Sequence, residues 1–149
     1  MKLRVYLDTS VFSAYCDSRV TDRQAATEEF WARREDFDLA TSETAREELA
    51  EVPDEAVRTR LWALLQEVKI EPVTQEMREL ARHYIGAGVF SPVMLNDALH
   101  VAAAVLTRQD VVLSWNFKHL VNRRRRAQVN QVNISLGLAT VEIVAPPEV

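Results

Sequence analysis

Short apolar runs alternate along the chain with longer stretches of helical periodicity. Val5 to Leu7 is an apolar run that stops at Asp8-Thr9-Ser10, which predicts a buried strand ending at Asp8 and a helix, capped by Thr9 or Ser10, reaching Tyr15. Thr21 with Gln24 three residues on has the form of a capping box, opening a helix to about Glu35 with Phe30 and Trp31 on its apolar side. Phe37 to Thr41 alternates as a strand, and Ser42 is placed to cap the helix after it. There Ala45, Leu49 and Val52 recur at spacings of four and three as a core-facing stripe, with Glu48 beside it. Pro53 interrupts this pattern, and Val57, Leu61, Leu64, Leu65 and Val68 mark the next helix.

The second half repeats the alternation. Lys69 to Val73 reads as a short extended segment. Thr74 begins a helix carrying Met77, Leu80, Ala81 and Tyr84, and Gly86 and Gly88 end it. Asn96 or Asp97 is predicted to cap an Ala-rich helix from Ala98 to about Thr107. Val111 to Trp115 is a further buried strand ending in Asn116, a helix covers much of Leu120 to Leu136, and Val141 to Val144 forms a last strand. Strands alternating with helices predict an α/β domain with a mainly parallel central sheet. In such sheets the ligand crevice lies beyond the carboxyl ends of the strands, where Asp8 and Asn116 both fall.

Composition narrows the setting. A chain of 149 residues, 48% hydrophobic, is enough for one core, so a single domain over residues 1–149 is expected. Every apolar run is too short to cross a bilayer, and Arg4, Asp8, Thr9 and Ser10 interrupt the start before a signal peptide can form, so a cytoplasmic protein without a membrane anchor is expected. One cysteine, Cys16, excludes an intramolecular disulfide. The net charge of -4 argues against a generally basic nucleic-acid binder. The charge is uneven, however: Val111 to Val141 contains Lys118 and Arg123 to Arg126 and no acid, while the rest of the chain holds all 22 acidic residues.

Three acids share one kind of location. Asp8 follows a strand, Glu48 sits early in a helix after a strand, and Asp97 starts a helix, so parallel strands can bring all three to one sheet edge. Carboxylates brought together repel unless a cation neutralises them, and a hard oxygen-seeking ion, Mg²⁺ or Mn²⁺, suits such donors. Zinc does not, because His83, His100 and His119 show no ligand spacing. Singly, each acid has a plainer role: Asp8 can end a strand, Asp97 can cap a helix, and Glu48 can belong to a solvated face with Glu43, Glu47 and Glu51. His100 reads as a packed residue and His119 as a loop residue. Trp115 and Phe117 can stack a base or anchor the core.

Four segments, "VYLDTSVF", "TSETAREEL", "NDALHVAAAV" and "VVLSWNFKHLVN", in this order and at this spacing over nearly the whole chain, resemble the PIN-domain ribonucleases, and especially the VapC-like toxins of bacterial toxin-antitoxin pairs. The resemblance implies a three-layer α/β/α sandwich around a five-stranded parallel sheet, an Mg²⁺ or Mn²⁺ site and RNA cleavage, with a small antitoxin protein and a second copy of the chain as partners. Residue by residue it assigns Asp8, Glu48 and Asp97 as catalytic acids and metal ligands, with Glu47 the competing alignment for Glu48. Asn116 stands where the family carries a fourth acid. Ser10 and Ser114 are then expected to orient Asp8 and the water around it, and Lys118, Arg123 and Arg124 to offer RNA contacts. Because Asn116 lacks a charge, a PIN-like domain that binds RNA or a partner without cutting stays open as an alternative. A phospho-accepting role for Asp8 fares worse, since "LDTSV" has no second acid two residues on.

Overall fold

A computed structural model describes all 149 residues. Five strands form one sheet: β1 (Leu3–Leu7), β2 (Phe37–Ser42), β3 (Lys69–Glu71), β4 (Val111–Leu113) and β5 (Glu142–Val144). Their order is β3-β2-β1-β4-β5 and every neighbouring pair is parallel. Seven α-helices connect them: α1 (Thr9–Ser13), α2 (Thr21–Ala32), α3 (Glu43–Ala50), α4 (Glu55–Leu65), α5 (Gln75–Gly86), α6 (Leu95–Leu106) and α7 (Arg123–Ser135). No helix is long and apolar enough to cross a membrane.

The period-two alternation of the central strands explains the layers. Val5, Leu7, Val111 and Leu113 face one side, where they pack with Val11 and Phe12 of α1, Phe30 and Trp31 of α2, and Leu61 and Leu65 of α4. Tyr6, Val112 and Ile143 face the other, against Leu80 and Tyr84 of α5, Ala102 of α6 and Val129 of α7. A strand apolar on both faces must be covered on both, which makes a sandwich of helix, sheet and helix. Each fully buried large apolar side chain contributes roughly 1.5–3 kcal/mol of transfer free energy.

Strand order places the crevice. From the central β1 the chain passes to β2 and β3 on one side, then to β4 and β5 on the other, so the direction reverses between β1 and β4. Connections there leave in opposite directions and cannot fill the gap above the carboxyl ends of the two strands. Asp8 and Ser114, the first residues after β1 and β4, stand at that gap.

Helix starts depart from expectation in two places. The Thr21–Gln24 capping box does not form: Val20 precedes the helix without a side-chain cap, and the Gln24 amide donates to Tyr15 O at 3.1 Å instead. Neither Asn96 nor Asp97 caps α6. A 3₁₀ turn over Pro92–Met94 leads directly into Leu95, so both side chains fall in the first helical turn and are not committed to capping. Ser42 and Thr74 do cap α3 and α5, accepting from Thr44 N at 3.3 Å and Met77 N at 3.2 Å. The last long helix starts at Arg123, capped by Asn122, rather than at Leu120.

Candidate active site

β1 delivers Asp8 to the crevice as the N-cap of α1, and the residue is 4% exposed. Its Oδ1 accepts from Ser10 N at 2.5 Å and Ser10 Oγ at 2.6 Å, and its Oδ2 from Ser114 Oγ at 2.7 Å. Ser114 in turn accepts from Asn116 N at 2.9 Å, and Ser10 Oγ accepts from Trp115 N at 2.8 Å. The loop after β4 is thus tied to the loop after β1 through the two serines, which hold one carboxylate in one orientation.

Glu48 reaches the crevice from the inner side of α3, while Glu47 is exposed. Its Oε1 accepts from Thr9 Oγ1 at 2.7 Å and from His100 Nε2 at 2.8 Å. His100 is buried, and its Nδ1 lies 2.7 Å from the hydroxyl of Tyr6, itself 2.8 Å from Ser42 Oγ. Burial pushes Glu48 up, but the hydrogen bond and charge of His100, with the Thr9 hydroxyl, hold its carboxyl below the usual range. Burial likewise pushes His100 down, and the bond to Glu48 with the charges of Asp8, Glu48 and Asp97 raises it above the ordinary imidazole value. Three carboxylates therefore surround one buried imidazole.

Asp97, on the first turn of α6, bonds through Oδ2 to His119 Nδ1 at 3.1 Å, and Oδ1 has no protein donor. Burial and then the charge of Asp8 raise its carboxyl above the usual value, only partly opposed by His100 and His119. Asn116 takes a different place from an acid: its Oδ1 accepts from His119 N at 2.9 Å and shapes the turn that presents the His119 ring to Asp97.

No group of three His, Cys, Asp or Glu side chains is arranged as a ready-made metal cage. The donor chemistry nevertheless suits a hard dication held by few protein oxygens, since Asp97 Oδ1 is free and Asp8 and Asp97 repel one another.

The basic residues separate. Lys118, Arg123 and Arg124 are exposed, as an RNA-contacting set requires. Arg126, by contrast, donates to Ile143 O at 2.9 Å, and Arg125 donates to Val89 O, so half of the Arg123–Arg126 run is structural. Trp115 is half-buried, donates to Thr27 Oγ1 at 2.9 Å and lies under Arg23, whereas Phe117 is half exposed. Thr9, Tyr6 and Ser42 escaped the sequence reading. Only the adjacency of Thr9 to Asp8 hinted at a role, because the spacing from Tyr6 to His100 carries no signal.

A sequence model of the PIN domain matches residues 5–118, a span that holds Asp8, Glu48, Asp97 and Asn116. The chain belongs to the PIN-domain family. No curated protein matches the chain by sequence. Among solved structures, FitAcB from Neisseria gonorrhoeae is similar to this PIN domain with a TM-score of 0.63 and 14% identity, over 97% of this chain and 99% of that one. VapC20 from Mycobacterium tuberculosis, a sarcin-ricin loop cleaving toxin, matches with a TM-score of 0.61 and 16% identity, over 92% and 98%. VapBC2 from Rickettsia felis, solved bound to a DNA fragment from its promoter, matches with a TM-score of 0.60 and 13% identity, over 95% and 97%. At these identities the likeness establishes a shared fold, so this PIN domain is built like the VapC toxins.

Proposed function

We propose that this PIN domain is a metal-dependent endoribonuclease, the toxin of a toxin-antitoxin pair, acting in the cytoplasm. The observation that carries the reading is the pairing of Asp8 and Asp97 across the crevice, close enough for the charge of Asp8 to raise the Asp97 carboxyl. Asp8 and Asp97 would hold Mg²⁺ or Mn²⁺, with Glu48 beside them. When bound, such an ion lowers the pKa of a water for attack on phosphorus and offsets charge on the phosphoryl oxygens. Ser10 and Ser114 keep Asp8 aimed into the crevice. Thr9 and His100 keep Glu48 ionised at neutral pH, where it accepts a hydrogen bond from a crevice water. The VapC20 toxin and the toxin-antitoxin complex from Klebsiella pneumoniae support an RNA target and a small antitoxin partner. A homodimer is part of the same proposal.

The test is cleavage of end-labelled RNA by the purified chain. Cleavage with Mg²⁺ or Mn²⁺ that stops in excess chelator is expected; cleavage indifferent to chelator defeats the proposal.

Asn116 favours one second reading, a PIN domain that binds RNA without cutting it, because its Oδ1 is spent on His119 N and brings no charge. Calorimetric Mn²⁺ titration of Asn116→Asp separates the two. For a nuclease, the added carboxylate is expected to tighten Mn²⁺ binding roughly tenfold on a protein that already cuts; cleavage that appears only in the variant establishes the binder.

A further inference from the structure

Beside the acidic crevice, the turn over residues 88–94 and the start of α7 enclose a second polar cavity of about 380 Å³. Lys118, Asn122, Arg124, Arg125 and Gln128 contribute to its wall, and no carboxylate does. We propose that this cavity holds the phosphate backbone of a single-stranded RNA leading into the crevice. The proposal rests on the ribonuclease reading and extends it by assigning the path of the strand.

The cations are unspent. Lys118, Arg124 and Arg125 take part in none of the salt bridges of the fold, which pair other residues. Arg125 is also held in place. Its guanidinium lies over the Phe90 ring, 4.7 Å from the centroid, while Nη1 donates to Val89 O and reaches Met94 Sδ at 3.8 Å. Its Nε and Nη2 donors have no protein partner. A guanidinium fixed on an aromatic face presents a planar fork that has already lost its rotamer freedom, which suits the oxygens of a phosphodiester.

The backbone adds to the same field. Asn122 Oδ1 accepts from Arg125 N at 2.8 Å, and the amides of Arg123 and Arg124 have no partner at the positive end of a 13-residue helix. The cavity joins the crevice on two counts. The charge of Asp97 reaches Arg125, and Lys118 directly precedes His119, whose ring bonds Asp97. A strand lying in the cavity would therefore run on toward Asp97.

Phe117 decides between polyanions. Its ring is 50% exposed, one residue from Lys118 and outside the contacts that occupy Trp115. An aromatic face next to backbone-binding cations serves a base followed by its phosphate, and an acidic peptide has no use for it.

The experiment measures anisotropy of a short fluorescein-labelled single-stranded RNA with the full chain in chelator, as a function of KCl. The wild type, the double variant Lys118→Gln/Arg124→Gln and Arg78→Gln, an exposed charge elsewhere, are compared. Both cavity residues replaced are exposed, so a folded protein is expected. The double variant should bind roughly tenfold more weakly, and its salt slope should fall by about 2, one per lost phosphate contact. Arg78→Gln should do neither. Equal affinity and slope in the two variants overturns the cavity, as does stronger competition by a polyglutamate peptide than by unlabelled RNA. The two proposals fail separately. If the wild type cuts RNA with Mn²⁺ while the double variant binds normally, only the cavity is lost; if the wild type binds through the cavity and never cuts, only the nuclease is.

Discussion

Asp8→Asn is expected to lower the rate of RNA cleavage by on the order of 10³-fold at saturating Mn²⁺ while the protein stays folded. The change keeps the shape of the side chain, and Asn is as good an N-cap for α1 as Asp. The oxygen facing Ser10 can still accept, and the Ser114 hydroxyl can turn to accept from the new amide, so the two loops remain tied. What disappears is one of the two charges that would hold the ion. Because the charge of Asp8 is a cause of the raised Asp97 carboxyl, the same substitution should let Asp97 ionise more easily. Metal-free Asp8→Asn should therefore melt no lower than the wild type, even as activity collapses. Initial rates on labelled RNA, read beside a thermal melt, check both halves. A folded variant that cuts at the wild-type rate removes Asp8 from the chemistry.

His100→Ala should have the largest effect on stability. It deletes a buried ring, opens a cavity, and strands the Tyr6 hydroxyl and Glu48 Oε1, a cost of about 3 kcal/mol. His100→Gln, which keeps an amide near Glu48, should recover part of it. The pH dependence of the metal-free protein separates the ring's charge from its packing. The His100 value is raised by folding, so its contribution is complete below the ordinary imidazole value of about 6.5 and is lost as pH rises through the folded value. The Glu48 value is lowered, so its contribution is present above the ordinary value of about 4.3 and is lost as pH falls through the folded value. The Asp97 value is raised, so ionising it costs stability as pH climbs above about 3.9. Together these put the optimum of the metal-free wild type on the acid side of neutrality. His100→Gln should lose the decline above about pH 6.5. Melts from pH 5 to 8 in chelator test this; parallel curves for the two proteins would show that the imidazole contributes no charge.

Much of this architecture is legible in the chain because it follows from local rules. The runs at Val5 to Leu7 and Val111 to Leu113, set between amphipathic helices, require a parallel sheet covered on both faces, and all five strands are close to where those patterns place them. Helix starts were less legible. Asp97 has the chemistry of a cap, but the turn over Pro92–Met94 had already begun α6 and left the carboxylate free for the crevice. In the Arg123–Arg126 run, four identical side chains meet four environments, and nothing local says that Arg126 reaches Ile143 O or that Arg125 lies on Phe90.

The sequence by itself determined the α/β class, the strand ends that carry Asp8 and the segment after β4, and the membership of the acidic set, because period and residue type act over a few positions. Only the tertiary structure decided that Glu48 rather than Glu47 faces the crevice, that His100 and Tyr6 stand beneath it, and that Asn116 supports a turn. Those outcomes depend on residues such as Tyr6, Ser42 and His100 meeting across the sheet. Packing and the strand order β3-β2-β1-β4-β5 bring them together, while their separation along the chain leaves no periodic trace.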